Sequence, residues 1–190
     1  ADPLGINRAG QITGVAGSRA FRWDAGAATV LSASVAGNGS SASIGRAINV
    51  DGQVAGAARL NSSGRWRAVL WPAGVGDALD LGVLSGGDAS EAFAVNDGGA
   101  AAGFSTTNGG FERACIFMPG VTPTPVGVLP GHSHSRALGL NLDGHTVGWS
   151  ATGTNTVRRA FLRDGVALRD LGLLPGYSGG VGFGWLERGG

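Results

Sequence analysis

Lysine is absent from the 190 residues, so positive charge rests on 14 arginines against 13 acidic side chains, a formal net charge of +1. The arginines are scattered along the chain. Without a basic patch to displace counterions from phosphate, the composition argues against a nucleic-acid partner. Cysteine occurs once, at Cys115, which excludes an internal disulfide framework and most cysteine-based metal sites while leaving the redox compartment open. No stretch approaches the ~18 consecutive apolar residues of a membrane span, and no window of ten or more residues carries a helical hydrophobic period. The start Ala1-Asp2-Pro3 has no signal-peptide pattern, so an exported protein of this sequence would already have lost its leader.

What is abundant is glycine, 37 residues, in a chain that is 43% hydrophobic and 14% charged. That balance is enough apolar material for a packed core and too little charge for a disordered tail. The glycines follow no collagen period. They punctuate a repeat, whose anchor is an apolar-Asn-x-x-Gly element at Ile6-Asn7 with Gly10, Ile48-Asn49 with Gly52, Val95-Asn96 with Gly99, and Leu140-Asn141 with Gly144. A degenerate fifth copy stands at Trp185-Leu186 with Gly189. Successive anchors lie 42, 47, 45 and 45 residues apart, which makes four tandem units of about 45 residues. The units run approximately over 4–46, 47–93, 94–138 and 139–183 of a single domain, with 184–190 a partial fifth anchor.

Each anchor is followed by a second glycine, at Gly14, Gly56, Gly103 and Gly148, and then by an Arg-Ala-x-x-aromatic run. The runs are Arg19-Ala20-Phe21-Arg22-Trp23, Arg67-Ala68-Val69-Leu70-Trp71 and Arg113-Ala114-Cys115-Ile116-Phe117, while Arg159-Ala160-Phe161-Leu162-Arg163 loses the final aromatic. A third run is clearest in Asp80-Leu81-Gly82-Val83-Leu84 and Asp170-Leu171-Gly172-Leu173-Leu174. Short alternating or apolar runs bounded by Gly, Pro, Asn and Ser read as strands. Asn-x-Asp-Gly, as in Asn49-Val50-Asp51-Gly52, is a tight-turn signal, so the strands on either side of it form a hairpin.

That hairpin sets the phase of the unit. Strand a precedes the Asn, strand b follows the anchor glycine, strand c is the Arg-Ala run and strand d the Asp-Leu-Gly run. Four antiparallel strands in about 45 residues predict an all-β fold, a β-propeller of four four-stranded blades. In this phase the chain begins at the end of a strand a, Leu4-Gly5-Ile6-Asn7, and finishes on an extra one, 181–186. The C-terminal strand is therefore expected to complete the first blade and close the ring, which removes exposed sheet edges. A closed ring is expected to be a monomer, and an open one an oligomer. Ala92, Ala94 and Ala137 in strand a suit a crowded axis, and Trp23, Trp71 and Phe117 are expected in the cores between blades.

The pattern resembles the HAF repeat, an extracellular repeat family of bacterial proteins named for its His-Ala-Phe triplet. Arg19-Ala20-Phe21 and Arg159-Ala160-Phe161 stand where that triplet falls, with Arg in place of His in every copy, and Asp80-Leu81-Gly82 and Gly52-Gln53-Val54 match other parts. The resemblance covers nearly the whole chain. It implies a repeat architecture and a secreted or cell-surface bacterial protein, and it carries over no catalytic residue.

Strands of alternating direction put the a–b and c–d turns on one face and the b–c and d–a loops on the other. The second face carries the variation, with four, ten, nine and ten residues between the second glycine and the repeat Arg. Binding sites form on variable loops held by a rigid scaffold. The predicted site is thus the axial mouth of that face, with Asn38, Asp88, His132, His134 and Tyr177 around it and Trp66, Phe111 and Trp149 on the neighbouring b–c loops. Aromatic faces with hydrogen-bonding groups suit a sugar. His132 and His134 lack a third metal ligand at recognisable spacing. Ser133, His134 and Asp88 lack a nucleophile elbow. Asp80, Asp170 and the arginines 19, 67, 113 and 159 recur with the repeat and read as structural. The expectation is a non-catalytic, cofactor-free binding module for a glycan or protein; a hydrolase or lyase at the same mouth and a structural segment of a larger surface protein are its rivals.

Overall fold

A computed structural model describes residues 1–32, 34–35, 38–60, 63–74, 76–153, 157–173 and 175–176, with residues 38 and 41 described by their backbone alone. Among the described residues all regular structure is strand. Sheet one consists of β1 (Asp2–Ile6), β2 (Ile12–Ala16), β3 (Arg19–Asp24) and β4 (Ala27–Val30). Sheet two holds β5 (Ser34–Val35), β6 (Asn38–Ile48), β7 (Val54–Leu60), β8 (Trp66–Trp71) and β9 (Leu79–Asp80). Sheet three holds β10 (Ser90–Val95), β11 (Ala101–Thr106), β12 (Glu112–Phe117) and β13 (Thr124–Gly127). Sheet four holds β14 (His134–Leu140), β15 (Thr146–Ala151), β16 (Arg158–Arg163) and β17 (Leu168–Asp170). Every sheet is an antiparallel meander with its strands in chain order. The expected a-b-c-d phase is therefore observed, with β5 as an unforeseen addition to sheet two.

The anchor asparagines explain why the hairpins form where they do. Their Oδ1 atoms accept the backbone N–H four residues on, from Gln11, Gln53, Ala100 and His145 at 2.9–3.0 Å. The anchor glycines take φ of +79° to +83°, the left-handed region that closes such turns without steric cost. The same asparagines also tie the sheets together. Asn7 Nδ2 donates to Asn49 O (2.8 Å), Asn49 Nδ2 to Asn96 O (3.1 Å) and Asn96 Nδ2 to Asn141 O (2.9 Å). A second thread is made by serines: Ser43, Ser90 and Ser135 are fully buried, and their Oγ atoms accept the N–H of Ala20, Ala68 and Ala114 in strand c of the preceding sheet.

Among the described residues, three cores lie between consecutive sheets. The first gathers Ala20 and Leu31 with Ile48, Val54, Val69 and Trp71; the second Leu70 and Leu81 with Ala92, Cys115 and Phe117; the third Ala114, Val126 and Leu129 with Ala137 and Phe161. Trp71 and Phe117 are buried as expected, and Trp71 Nε1 donates to Ser32 O across the first core (3.0 Å). Trp23 is half-buried.

One expectation needs correction, the placement of Trp66 and Trp149 in loops, and the expected closing strand lies outside the described residues. The sheets span 2–30, 34–80, 90–127 and 134–170, against the approximate sequence units 4–46, 47–93, 94–138 and 139–183, and strand a begins up to eleven residues before its Asn. β1 is paired to β2 from Asp2↔Val15 to Ile6↔Ile12, so the edge that a C-terminal strand would fill is already occupied. No core joins sheet four to sheet one among the described residues, which show no closed ring, and the run 181–186 lies outside them. Trp66 and Trp149 belong to strands β8 and β15 and not to loops, since the hairpins of sheets two to four take part of the extra b–c residues into their ladders.

Candidate functional site

Strand a carries a bulge in every sheet. The register slips between Pro3 and Gly5, Gly45 and Ala47, Ala92 and Ala94, and Ala137 and Gly139. The residue passed over is always the one three positions before the anchor Asn: Leu4, Arg46, Phe93 and Leu138. A bulge bends the strand and re-aims a side chain. Its trace on the neighbouring strand is the second glycine. A Cβ at Gly14, Gly56, Gly103 or Gly148 would lie 1.9–2.1 Å from the carbonyl oxygen of Asp2, Ile44, Glu91 or Arg136 on strand a.

The four bulge residues line one cavity of about 390 Å³, together with Arg136, Trp149 and Arg158. This volume falls within the ~300–1,000 Å³ usual for small-molecule sites. Every sheet thus contributes its innermost strand to a single space. The expected small-residue axis is displaced by one position. Ala92 and Ala137 lie in the inter-sheet cores and Ala94 packs against the third, while the bulged side chain beside each lines the cavity.

The chemistry of the wall is arginine against aromatic rings. Arg46 lies 5.7 Å from the Phe93 centroid, and Arg136 stands 4.3 Å from Phe104, 5.7 Å from Trp149 and 5.8 Å from Phe93. Arg158 lies closest of all, 4.1 Å from the Trp149 centroid. Phe93 and Phe104 stack at 6.0 Å. Two of the guanidinium groups are neutralised. Arg46 holds Glu91 Oε1 at 2.6 and 2.8 Å, and Arg136 grips both oxygens of Glu112 at 2.5 and 2.7 Å. Arg158 has no carboxylate partner among the described residues.

The residues expected at the mouth divide into separate groups. Trp149 is in the cavity wall and 4% exposed. His134 opens β14 with its ring edge-on to Phe111 (5.5 Å), and its Nδ1 accepts the Glu112 N–H at 3.4 Å. Because Glu112 also clamps Arg136, Phe111, His134, Glu112, Arg136 and Trp149 form one continuous path across sheets three and four. Asp88 stands apart, bonded to Thr106 Oγ1 (3.0 Å) and paired with Arg65 (3.1 Å), and both partners of that ion pair are exposed. Trp66 is half-buried opposite Arg59 in the ladder. The carboxyl of Asp170 is held below its ordinary value first by the Gly172 N–H and then by Arg159, with His132 the smallest contribution. The His132 Nδ1 is buried without a hydrogen-bond partner among the described residues. Asn38 is described only by its backbone in β6, and Tyr177 lies outside the described residues. Leu4, Arg46, Phe93, Arg136, Leu138 and Arg158 are the cavity residues that sequence reasoning missed.

Ser133, His134 and Asp88 share no hydrogen bond: the serine hydroxyl donates to Thr152 O, while the other two are engaged as above. The recurrent Arg–Asp pairs are structural, as expected. Asp80 and Asp170 cap Gly82 and Gly172 (both 2.8 Å) and bind Arg67 (3.1 Å) and Arg159 (2.8 Å). In sheets one and three Val30 and Pro125 stand nearest that ladder position. Arg113 donates instead to Ser133 O, and Arg19 Nη1 is buried without a partner among the described residues. Burial pushes the Cys115 thiol up to about 12, against a lowering by a Ser105 backbone contact, which makes it a core residue and not a nucleophile.

No family model, curated protein or solved structure matches the chain. The functional reading therefore rests on geometry and on the motifs themselves.

Proposed function

We propose that the chain is a non-catalytic binding module, a four-bladed propeller whose axis is the cavity between the four bulges, and that it takes a saccharide there. The observation that carries this reading is the contrast along strand a. The positions beside the bulge are Ala, Gly or Pro, but the bulge itself carries Leu, Arg, Phe and Leu and faces one shared space. A purely structural repeat has no need to vary at the one column where all four sheets meet. The half-buried ring of Phe93 offers an apolar platform for sugar C–H groups, and the arginines supply donors for hydroxyls. The resemblance to HAF repeats supports an exported, bacterial, surface-exposed setting for such binding.

The test is retention of the purified chain on a glycan array, repeated with Phe93→Ala. Glycans held by the wild type and lost with Phe93→Ala, at unchanged circular dichroism, support the reading; retention indifferent to Phe93 overturns it. Phe93→Leu, which keeps most of the volume, covers the case in which Ala disturbs the stack on Phe104. The ring itself is tested by light scattering: a stable monomer supports closure, and an obligate dimer counts against it.

A further inference from the structure

We infer that the ligand is acidic, a saccharide whose carboxylate (a uronic acid residue) is bound by Arg158 over the face of Trp149; this rests on the saccharide reading above. Three guanidinium groups line the cavity, and the two within reach of a carboxylate already hold one each, Glu91 on Arg46 and Glu112 on Arg136. Arg158 is the third. Its contact is the indole ring, 4.1 Å from the centroid, and its half-buried position withdraws it from part of its hydration. A guanidinium laid over a ring satisfies its face and leaves its N–H edges free for a planar carboxylate, which accepts two parallel bonds. Among the described residues, one unit of positive charge is therefore left over in a wall otherwise balanced pairwise.

The place of these groups in the repeat points the same way. Arg158 stands immediately before the repeat Arg, where the other copies have Ser18, Trp66 and Glu112. Trp149 follows the second glycine, where they have Val15, Ala57 and Phe104. Only the fourth copy pairs a cation with an aromatic ring at these two positions. Neither residue is required by the scaffold that all four copies share. A neutral sugar would leave the cation without a counter-charge, whereas a carboxylate on the sugar ring supplies the charge and the ring stacks on the aromatic wall. Arg46 and Arg136 already hold Glu91 and Glu112, which leaves the Arg158 side for the ligand's carboxylate.

The experiment is calorimetric titration of the full chain with three probes: a galacturonic acid trimer, the neutral galactose trimer of the same linkage, and a poly-glutamate peptide. Each is run on wild type, Arg158→Gln and Arg158→Lys. The expected result is that the uronate trimer binds more tightly than the neutral trimer, that Arg158→Gln weakens it by about tenfold or more, and that Arg158→Lys restores part of the loss. The neutral trimer is expected to be indifferent to both changes, and raised salt should weaken only the uronate. If both trimers bind equally and Arg158→Gln changes neither, the acidic-ligand inference fails while the saccharide reading stands. If neither trimer binds and poly-glutamate binds in an Arg158-dependent way, the carboxylate comes from protein and the saccharide class is overturned. If nothing binds, both fail. Should Arg158→Gln not fold, Arg158→Lys and the salt series on wild type decide.

Discussion

Asn49 has two jobs, closing its own turn and reaching the next sheet, and a pair of substitutions separates them. The residue is 3% exposed. Its Oδ1 accepts the Gln53 N–H (2.9 Å), and its Nδ2 donates to Gln53 Oε1 (2.8 Å) and Asn96 O (3.1 Å). Asn49→Ala leaves the half-buried Gln53 N–H and Asn96 carbonyl without these partners, at ~1–3 kcal/mol for each orphaned group shielded from water. A loss of about 3 kcal/mol follows, and for a chain of this length each kcal/mol lowers Tm by ~2–4 °C. Asn141→Ala removes the same turn bond, His145 N–H to Oδ1 at 2.9 Å, but at an exposed position where water replaces it. About 1 kcal/mol or less is expected there. Asn49→Asp is the sharper variant. It keeps the acceptor that closes the turn and replaces the donor with an oxygen facing Asn96 O, so it should destabilise nearly as much as Ala. Calorimetric melts and urea midpoints of the three variants check this. Equal losses at 49 and 141, or a harmless Asn49→Asp, would refute the inter-sheet role and leave only a turn.

Gly103→Ala puts a Cβ 1.9 Å from Glu91 O and should cost more than ~3 kcal/mol, beyond the usual range of overpacking, whereas Gly110→Ala, with φ +73° and open space around it, should cost only the ~1–2 kcal/mol of a left-handed backbone; urea midpoints compare them. Cys115, raised from 9.0 to about 12, should hold about a thousandfold less thiolate at pH 8 than an ordinary cysteine, so a disulfide reagent should label it only as urea unfolds the chain, and rapid native labelling would contradict its burial. Asp170 has its folded pKa lowered from 3.8, so its contribution to stability is present above that value and is lost as pH falls through the lower folded one. Asp170→Asn should therefore flatten the fall in Tm below about pH 4 relative to wild type, and parallel acid profiles would show that the Gly172 cap and Arg159 pair add nothing.

Much of the fold was legible because the repeat writes the same physics four times. Asn with Gly three residues on requires a tight turn, and all four anchors make it. Arg67 with Asp80 and Arg159 with Asp170 announced their cross-strand pairing by recurring together. The inter-sheet bonds of Asn7, Asn49 and Asn96 were hidden, because nothing in a single turn motif says what its spare Nδ2 will meet. The serines 43, 90 and 135 were equally silent: a buried hydroxyl that serves the backbone of another sheet has no local signature. Occupation of the first sheet by β1 was missed for a different reason. Asp2-Pro3 is a poor strand start on propensity, and pairing with β2 overrides it.

The candidate site was hidden by the same regularity that exposed the fold. Strict alternation assigns Ala92 and Ala94 to one face of β10 and Phe93 to the other, which made the small residues look axial. A bulge lets two residues of strand a oppose one of strand b, so the period-2 rule fails at the one residue that matters. The trace was nevertheless present, four times, as the second glycine. In the middle of a strand glycine is unfavourable, and a column that never admits a side chain at 14, 56, 103 and 148 marks a partner backbone lying where a Cβ would have to stand, within about 2 Å of a carbonyl oxygen. Had that column been read as a bulge, the residue three before each Asn would have emerged as the axial position. The departures of the fourth copy, Trp149 and Arg158, would then have stood out as chemistry the scaffold does not require.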